Sequence, residues 1–122
     1  MTTRPPSAIV VSLAGMLSLA AAMGIGRFAF TPVLPLMIRD GHLQVAAGGW
    51  LAAANYLGYL VGAVAAARVA ASASRLTWLS LAGIAITTGA MTLHAATSWL
   101  ALRFVAGACS AGVFVATSVW CL

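Results

Sequence analysis

Four long apolar stretches, separated by short polar connections, account for almost the whole chain. They cover about residues 8–38, 46–69, 76–95 and 99–122, and none shows the alternation of apolar and polar residues typical of a strand. Each is long enough for a helix to cross the roughly 30 Å hydrocarbon core of a bilayer, which takes about 20 residues. Because lipid offers no hydrogen bonds to the backbone, helices are expected. The pattern predicts an all-α membrane protein with four transmembrane helices.

The composition indicates the same environment. Of the 122 residues, 63% are hydrophobic and 6% are charged, whereas about a quarter of the residues in soluble domains are charged. The lipid bilayer is therefore the expected surrounding. The net charge of +5 comes from arginines scattered through apolar sequence rather than from a basic face, so nucleic-acid binding is not expected.

The first stretch is longer than one membrane crossing requires. Pro32 and Pro35 lie in its second half and lack the backbone N–H that a helix uses, so we expect a bend or a helix end near Thr31. Arg4 and the following apolar run also fit a signal peptide with small residues at 20–22 as its cleavage site. The apolar sequence continues well past these residues, which favours a membrane span.

The distribution of arginines predicts the orientation. Four antiparallel spans would bring Arg4, Arg68 and Arg75 to one side of the membrane and Arg39, next to Asp40, to the other. Short loops retain positive charge on the cytoplasmic side, so the N-terminus is expected in the cytoplasm.

The fourth apolar stretch runs to the last residue. No polar tail follows Cys121 and Leu122. From this we expect residues 1–122 to be the N-terminal part of a longer transmembrane protein.

Two arginines interrupt the apolar stretches, Arg27 in the first and Arg103 in the fourth. A charge within a bilayer is costly, so such residues are candidates for function by default. The antiparallel path brings both toward the outer leaflet. Each could instead extend to the interface and anchor its helix. If the two guanidinium groups face one water-filled cavity, they favour an anionic substrate.

The second stretch carries polar groups on one helical face. Asn55 and Tyr59 are spaced at i and i+4, and they are candidates for the substrate pathway or for hydrogen bonds between helices. Gly58 and Gly62 have the G-x-x-x-G spacing that allows two helices to approach closely. Gly107, four residues after Arg103, is a third candidate packing residue.

No enzymatic chemistry is predicted. The single acidic residue, Asp40, cannot form a carboxylate pair, and His42 and His94 lack the spacing of metal ligands. We therefore expect neither catalytic residues, nor a metal site, nor a cofactor.

Three segments form an ordered series that resembles a known family. They are GIGRF at residues 24–28, TPVLPLM at 31–37 and GWLAAANYLGYLVG at 49–62. The series is similar to the opening of the YbfB/YjiJ family of major facilitator superfamily (MFS) transporters. Arg103 and Gly107 also resemble the superfamily's motif of an arginine followed four residues later by a glycine.

The resemblance implies the first four helices of a twelve-helix fold in a bacterial plasma (inner) membrane. It also implies a secondary transporter that moves a small solute by alternating access, with the first and fourth helices lining the cavity. Arg27 and Arg103 are on those helices. If protons drive transport, the titrating group must lie outside this chain, and the four helices alone are not expected to transport.

Two other functions are consistent with four helices. One is a complete small multidrug exporter acting as a dimer, but such a carrier needs a membrane carboxylate to bind cations and protons, and the four stretches contain none. The other is a non-transporting membrane subunit that uses its small-residue faces for assembly.

Overall fold

The computed structural model describes residues 7–69, 72–93 and 96–121, and these residues are almost entirely helical. The expected all-α fold with four membrane-spanning helices is confirmed. In chain order the elements are α1 (Ala8–Ala20), a π-helical segment (Ala21–Phe28), α2 (Phe30–Arg39), α3 (Val45–Arg68), α4 (Ala73–Leu93), a short 3₁₀ turn (Ala96–Ser98) and α5 (Trp99–Cys121).

The first span consists of α1, the π segment and α2, which together run from Ala8 to Arg39 over 32 residues. Helices α3, α4 and α5 are the second, third and fourth spans. Each of the four is apolar and long enough to cross a membrane.

Helix α4 begins earlier than the sequence suggested. The third apolar stretch was expected to start at residue 76, after Arg75, but α4 begins at Ala73 and Arg75 lies in its first turn, while α3 ends at Arg68, within a residue of the expected end. Helix α4 begins early because the carbonyl of Ser72 accepts a hydrogen bond from the N–H of Leu76, 3.0 Å away. In the next connection, His94 lies outside the described residues.

A bend or helix end was expected near Thr31. The irregular hydrogen bonding of the first span lies just before that residue. The backbone is π-helical up to Phe28, and the N–H of Ala29 bonds to the carbonyl of Gly24, five residues back, at 2.7 Å. Pro32 accounts for this position, because a proline ring clashes with the carbonyl four residues earlier and offers it no N–H. The irregular hydrogen bonding therefore lies on the N-terminal side of Pro32, while Pro35 is accommodated inside α2.

Helix α5 is the centre of the bundle. It packs against α3, α4 and the first span, and half of its apolar window is buried, compared with 11–28% for the other three spans. The outward faces carry large exposed apolar side chains on every span, among them Leu17, Leu60, Ile86 and Val119. Such a surface suits lipid rather than water.

Three glycines bring α3 and α5 into backbone contact. A Cβ atom on Gly58 would overlap the backbone of Phe104, and one on Gly62 would also meet the backbone of α5. From the other side, a Cβ atom on Gly107 would overlap the carbonyl of Asn55. Small residues allow this approach, and it sets how the polar residues of α3 and α5 face each other.

Candidate functional site

Polar residues from the first span, α3 and α5 meet at one small cavity. Its volume is about 40 Å³. Because one water needs roughly 10–15 Å³ of cavity volume, the cavity has room for about three waters or for a charged group of similar size, such as a carboxylate. It is lined by Arg27, Phe28, Phe30, Thr31, Ala52, Asn55, Tyr56 and Arg103.

Arg103 reaches this cavity from α5, one helical turn after the start of the helix. Only 5% of the residue is exposed, and its guanidinium carbon lies 4.5 Å from the centre of the Phe30 ring. One terminal nitrogen, Nη2, donates to the carbonyl oxygen of Arg27 at 3.4 Å. The buried Nε has no hydrogen-bond partner among the described residues. The guanidinium is thus held inside the bundle with its hydrogen-bonding capacity only partly used.

Arg27 reaches the cavity from the π segment and is surrounded by aromatic rings. Its guanidinium carbon lies 4.5 Å from the ring centre of Tyr59, 4.9 Å from Tyr56 and 5.8 Å from Phe28. Its Nη1 also contacts the sulfur of Met23 at 3.9 Å. Cation–π contacts hold the side chain in place but do not neutralise its charge.

Neither guanidinium is paired with a carboxylate. The chain has one acidic side chain, Asp40. It follows the end of the first span, about three and a half helical turns beyond Arg27. The cavity therefore carries two positive charges that the described residues leave uncompensated.

Asn55 joins three helices at the edge of the cavity. Its side-chain amide nitrogen donates to the carbonyl of Arg103 at 2.9 Å and to the carbonyl of Gly26 at 3.4 Å, and the residue is 3% exposed. Asn55 was a candidate both for hydrogen bonding between helices and for the substrate pathway. It makes the first kind of contact while also lining the cavity.

Tyr59 does not line the cavity itself. Its ring lies between Arg27 and Phe114, 6.5 Å from the centre of the Phe114 ring. Tyr56, whose ring both lines the cavity and contacts Arg27, was not predicted from the sequence. The available signal was its spacing, since Tyr56 and Tyr59 are three residues apart and share one side of α3.

The carbonyl groups of the π segment attract donors from neighbouring helices. Pro32 has no N–H to offer the Arg27 carbonyl in π register or the Phe28 carbonyl in α register. Three carbonyl groups of this segment accept hydrogen bonds from side chains of α3 or α5: Ala22 from Ser110 at 3.1 Å, Gly26 from Asn55 at 3.4 Å, and Arg27 from Arg103 at 3.4 Å. The distorted part of the first span is thus fixed by the residues that surround the cavity.

The described residues hold no cluster of three or more His, Cys, Asp or Glu side chains that could bind a metal ion. The cavity brings together two guanidinium groups and aromatic rings.

A comparison with protein families shows where this arrangement belongs. Residues 19–122 match the family model described as uncharacterised MFS-type transporter YbfB, and this stretch includes all four spans in whole or in large part. The chain belongs to the YbfB family of MFS-type transporters.

This YbfB-family chain is therefore a multi-pass membrane protein of a transporter family, as the sequence resemblance implied. No curated protein and no solved structure matches it significantly. The family description names no substrate, so the chemistry of the cavity is the guide to what is carried.

Proposed function

We propose that this chain belongs to a secondary transporter that carries a small anionic solute by alternating access, with the cavity between Arg27 and Arg103 as part of its pathway. The observation that carries the proposal is Arg103, a guanidinium buried in the bundle, to which residues 7–69, 72–93 and 96–121 offer neither a hydrogen-bond partner for Nε nor a carboxylate. Non-enzymatic transport agrees with membership of an MFS-type family.

A charged side chain inside the hydrocarbon region of a membrane is costly. On insertion scales an arginine costs on the order of 2.5–3.5 kcal/mol at the centre of a membrane helix, and less toward the helix ends, where Arg103 lies. An arginine that only anchors its helix avoids much of this cost by extending to the interface. Arg103 does not do so, since it is 5% exposed and packs on Phe30. An anion that enters the cavity would offset the cost by pairing with both guanidinium groups.

The four polar candidates then have distinct roles. Arg27 and Arg103 bind the anion. Tyr59 holds the Arg27 guanidinium by its ring, and Asn55 fixes α5 relative to the first span through its bond to the Arg103 carbonyl. Asn55 thereby borders the pathway, and Tyr59 acts on it from behind Arg27.

The electrostatics disfavour a cation exporter. Two uncompensated positive charges repel a cationic drug, and the four spans contain no acidic side chain to bind it. For the same reason, a proton-coupled cycle would use a titrating group outside this chain.

Uptake into proteoliposomes tests the proposed function. The assay uses the protein as its gene encodes it in full. We expect a radiolabelled carboxylate to accumulate above the level of empty liposomes, and a cation or neutral sugar of similar size to stay at that level. Equal uptake of all three, or uptake of the cation alone, would contradict an anion pathway.

We also propose that the N-terminus lies on the cytoplasmic side of a bacterial plasma membrane. The side of the membrane that carries Arg68 and Arg75 is the more basic, and positive charge is retained in the cytoplasm. Single cysteines at Ser7 and Ser74 are expected to resist an impermeant maleimide in intact cells and to react after permeabilisation. A cysteine at His42 is expected to react in intact cells. Labelling of Ser7→Cys and Ser74→Cys from opposite sides would contradict the antiparallel path.

A further inference from the structure

A second, larger cavity adjoins the arginine cavity. It is a groove of about 550 Å³ formed by the first span, α4 and α5. Arg103 and Phe30 line both cavities, so the two lie on either side of these residues. Its walls are mainly apolar and include Ile25, Val33, Met37, Met91 and Trp99.

The two cavities differ in size and chemistry. The arginine cavity, at about 40 Å³, accepts a group no larger than a carboxylate with little else attached. The groove falls within the roughly 300–1,000 Å³ typical of small-molecule sites, and an apolar chain would gain free energy by filling it. A ligand that used both would have a small charged head and an apolar tail.

We propose that the solute is an amphipathic carboxylate, whose head pairs with Arg27 and Arg103 and whose alkyl or aryl tail lies in the groove. This inference rests on the proposed function and narrows its substrate class. The charge of Arg103 in the wall of the groove selects an anion over a neutral lipid tail. Because Arg103 and Phe30 line both cavities, a carboxylate held by Arg103 has its tail beside the groove.

Besides Arg103, the polar side chains that line the groove are His42, from the loop after α2, and Thr88 and Thr92 of α4. The Thr92 hydroxyl donates back to the carbonyl of Gly89 at 2.7 Å. This hydrogen bond satisfies the hydroxyl within its own helix, so it needs no polar group on the tail.

Binding of a chain-length series tests the inference. The purified 122-residue chain in lipid nanodiscs is titrated with acetate, butanoate, hexanoate and octanoate, and the signal of empty nanodiscs is subtracted to remove partition into lipid. We expect affinity to rise about fourfold for each added methylene that enters the groove, the factor that corresponds to about 0.8 kcal/mol per buried CH₂. Octanol, with the same tail and no charge, is expected to bind at least about tenfold more weakly than octanoate.

Two variants separate head from tail. Arg103→Gln is expected to weaken every carboxylate in the series. Val33→Trp, which fills the groove, is expected to weaken octanoate and spare acetate. Leu36→Trp is the matched control, because Leu36 lies on the same helix, is 55% exposed and lines neither cavity.

The outcomes distinguish this inference from the function on which it rests. If acetate and octanoate bind equally well and both depend on Arg103, the anion site stands and the tail site is wrong, with lipid or another helix filling the groove. If octanol binds as tightly as octanoate, the groove takes an apolar tail without a charged head, and both the amphipathic carboxylate and the anion pathway are contradicted. If no carboxylate binds, both the tail site and the anion pathway are contradicted.

Discussion

Replacing Arg103 with glutamine is expected to reduce anion uptake by roughly 10- to 150-fold while leaving the helix bundle folded. The factor corresponds to the 1.5–3 kcal/mol that a hydrogen bond to a charged group contributes. The fold should survive because Asn55 bonds to the backbone carbonyl of residue 103, not to its side chain. Removing a buried uncompensated charge should also keep the thermal unfolding midpoint unchanged or raise it.

Loss of uptake together with unchanged stability separates a role of Arg103 in anion binding from a role in folding. Arg103→Lys keeps the charge but loses the planar donor geometry, so we expect partial uptake. Arg39→Gln is the control, because Arg39 is exposed at the end of the first span and lines neither cavity. Full uptake by Arg103→Gln would contradict the account. So would a large loss of stability in which uptake falls only as much as the amount of folded protein.

Gly58→Leu is expected to separate α3 from α5 and to destabilise the bundle by at least about 3 kcal/mol, at the upper end of what overpacking costs. A side chain at this position would meet the backbone of Phe104, which cannot rotate away as a side chain could. Separation would also break the bond from Asn55 to the Arg103 carbonyl. The measurement is the thermal unfolding midpoint in detergent, together with the monodisperse fraction in size-exclusion chromatography.

Gly49→Leu is the matched control for this prediction. Gly49 lies on the same helix, two turns or more toward its N-terminus, and a Cβ atom there would meet nothing within 4 Å. We expect this variant to unfold at or above the temperature of the parent protein, because leucine is a better helix former than glycine. If the two variants were equally stable, the close packing of α3 on α5 would be wrong.

The fold could be predicted from the sequence because it depends on the length of apolar runs. An apolar stretch of about 20 residues in lipid has one backbone solution, the helix, whatever its side chains contact. The ends of the helices depend on local hydrogen bonds instead. The bond from Leu76 to Ser72 extends α4 beyond what hydrophobicity indicated and draws Arg75 into the helix.

The candidate site was predictable in part for the same reason. Charged residues are rare in apolar stretches, so Arg27 and Arg103 stood out, and the antiparallel path placed both toward one side of the membrane. The structure brings Arg103 to the carbonyl of Arg27. The π segment could not be derived in this way. Pro32 signals a distortion, but whether the helix bends or widens depends on donors such as Ser110, which lies on another helix.

The aromatic rings around Arg27 could not be predicted from the sequence of any single helix. Tyr56 is 58% exposed and appears on a helical wheel as one more outward residue. Its contact with Arg27 arises because the π segment presents that arginine toward α3. A helical pattern read one segment at a time does not contain this information.

The reaction of a single cysteine at Thr31 tests most directly whether Arg27 and Arg103 create one accessible, positively charged cavity. Thr31 lines that cavity, and Cys109 and Cys121 are replaced with alanine beforehand. Charged clefts raise local counter-ion concentrations by 10-fold or more. The account predicts that an anionic methanethiosulfonate reacts with Thr31→Cys at least about tenfold faster than a cationic one, and that the ratio falls toward one when either arginine becomes glutamine. Equal rates in the parent background, or faster reaction of the cation, would contradict it.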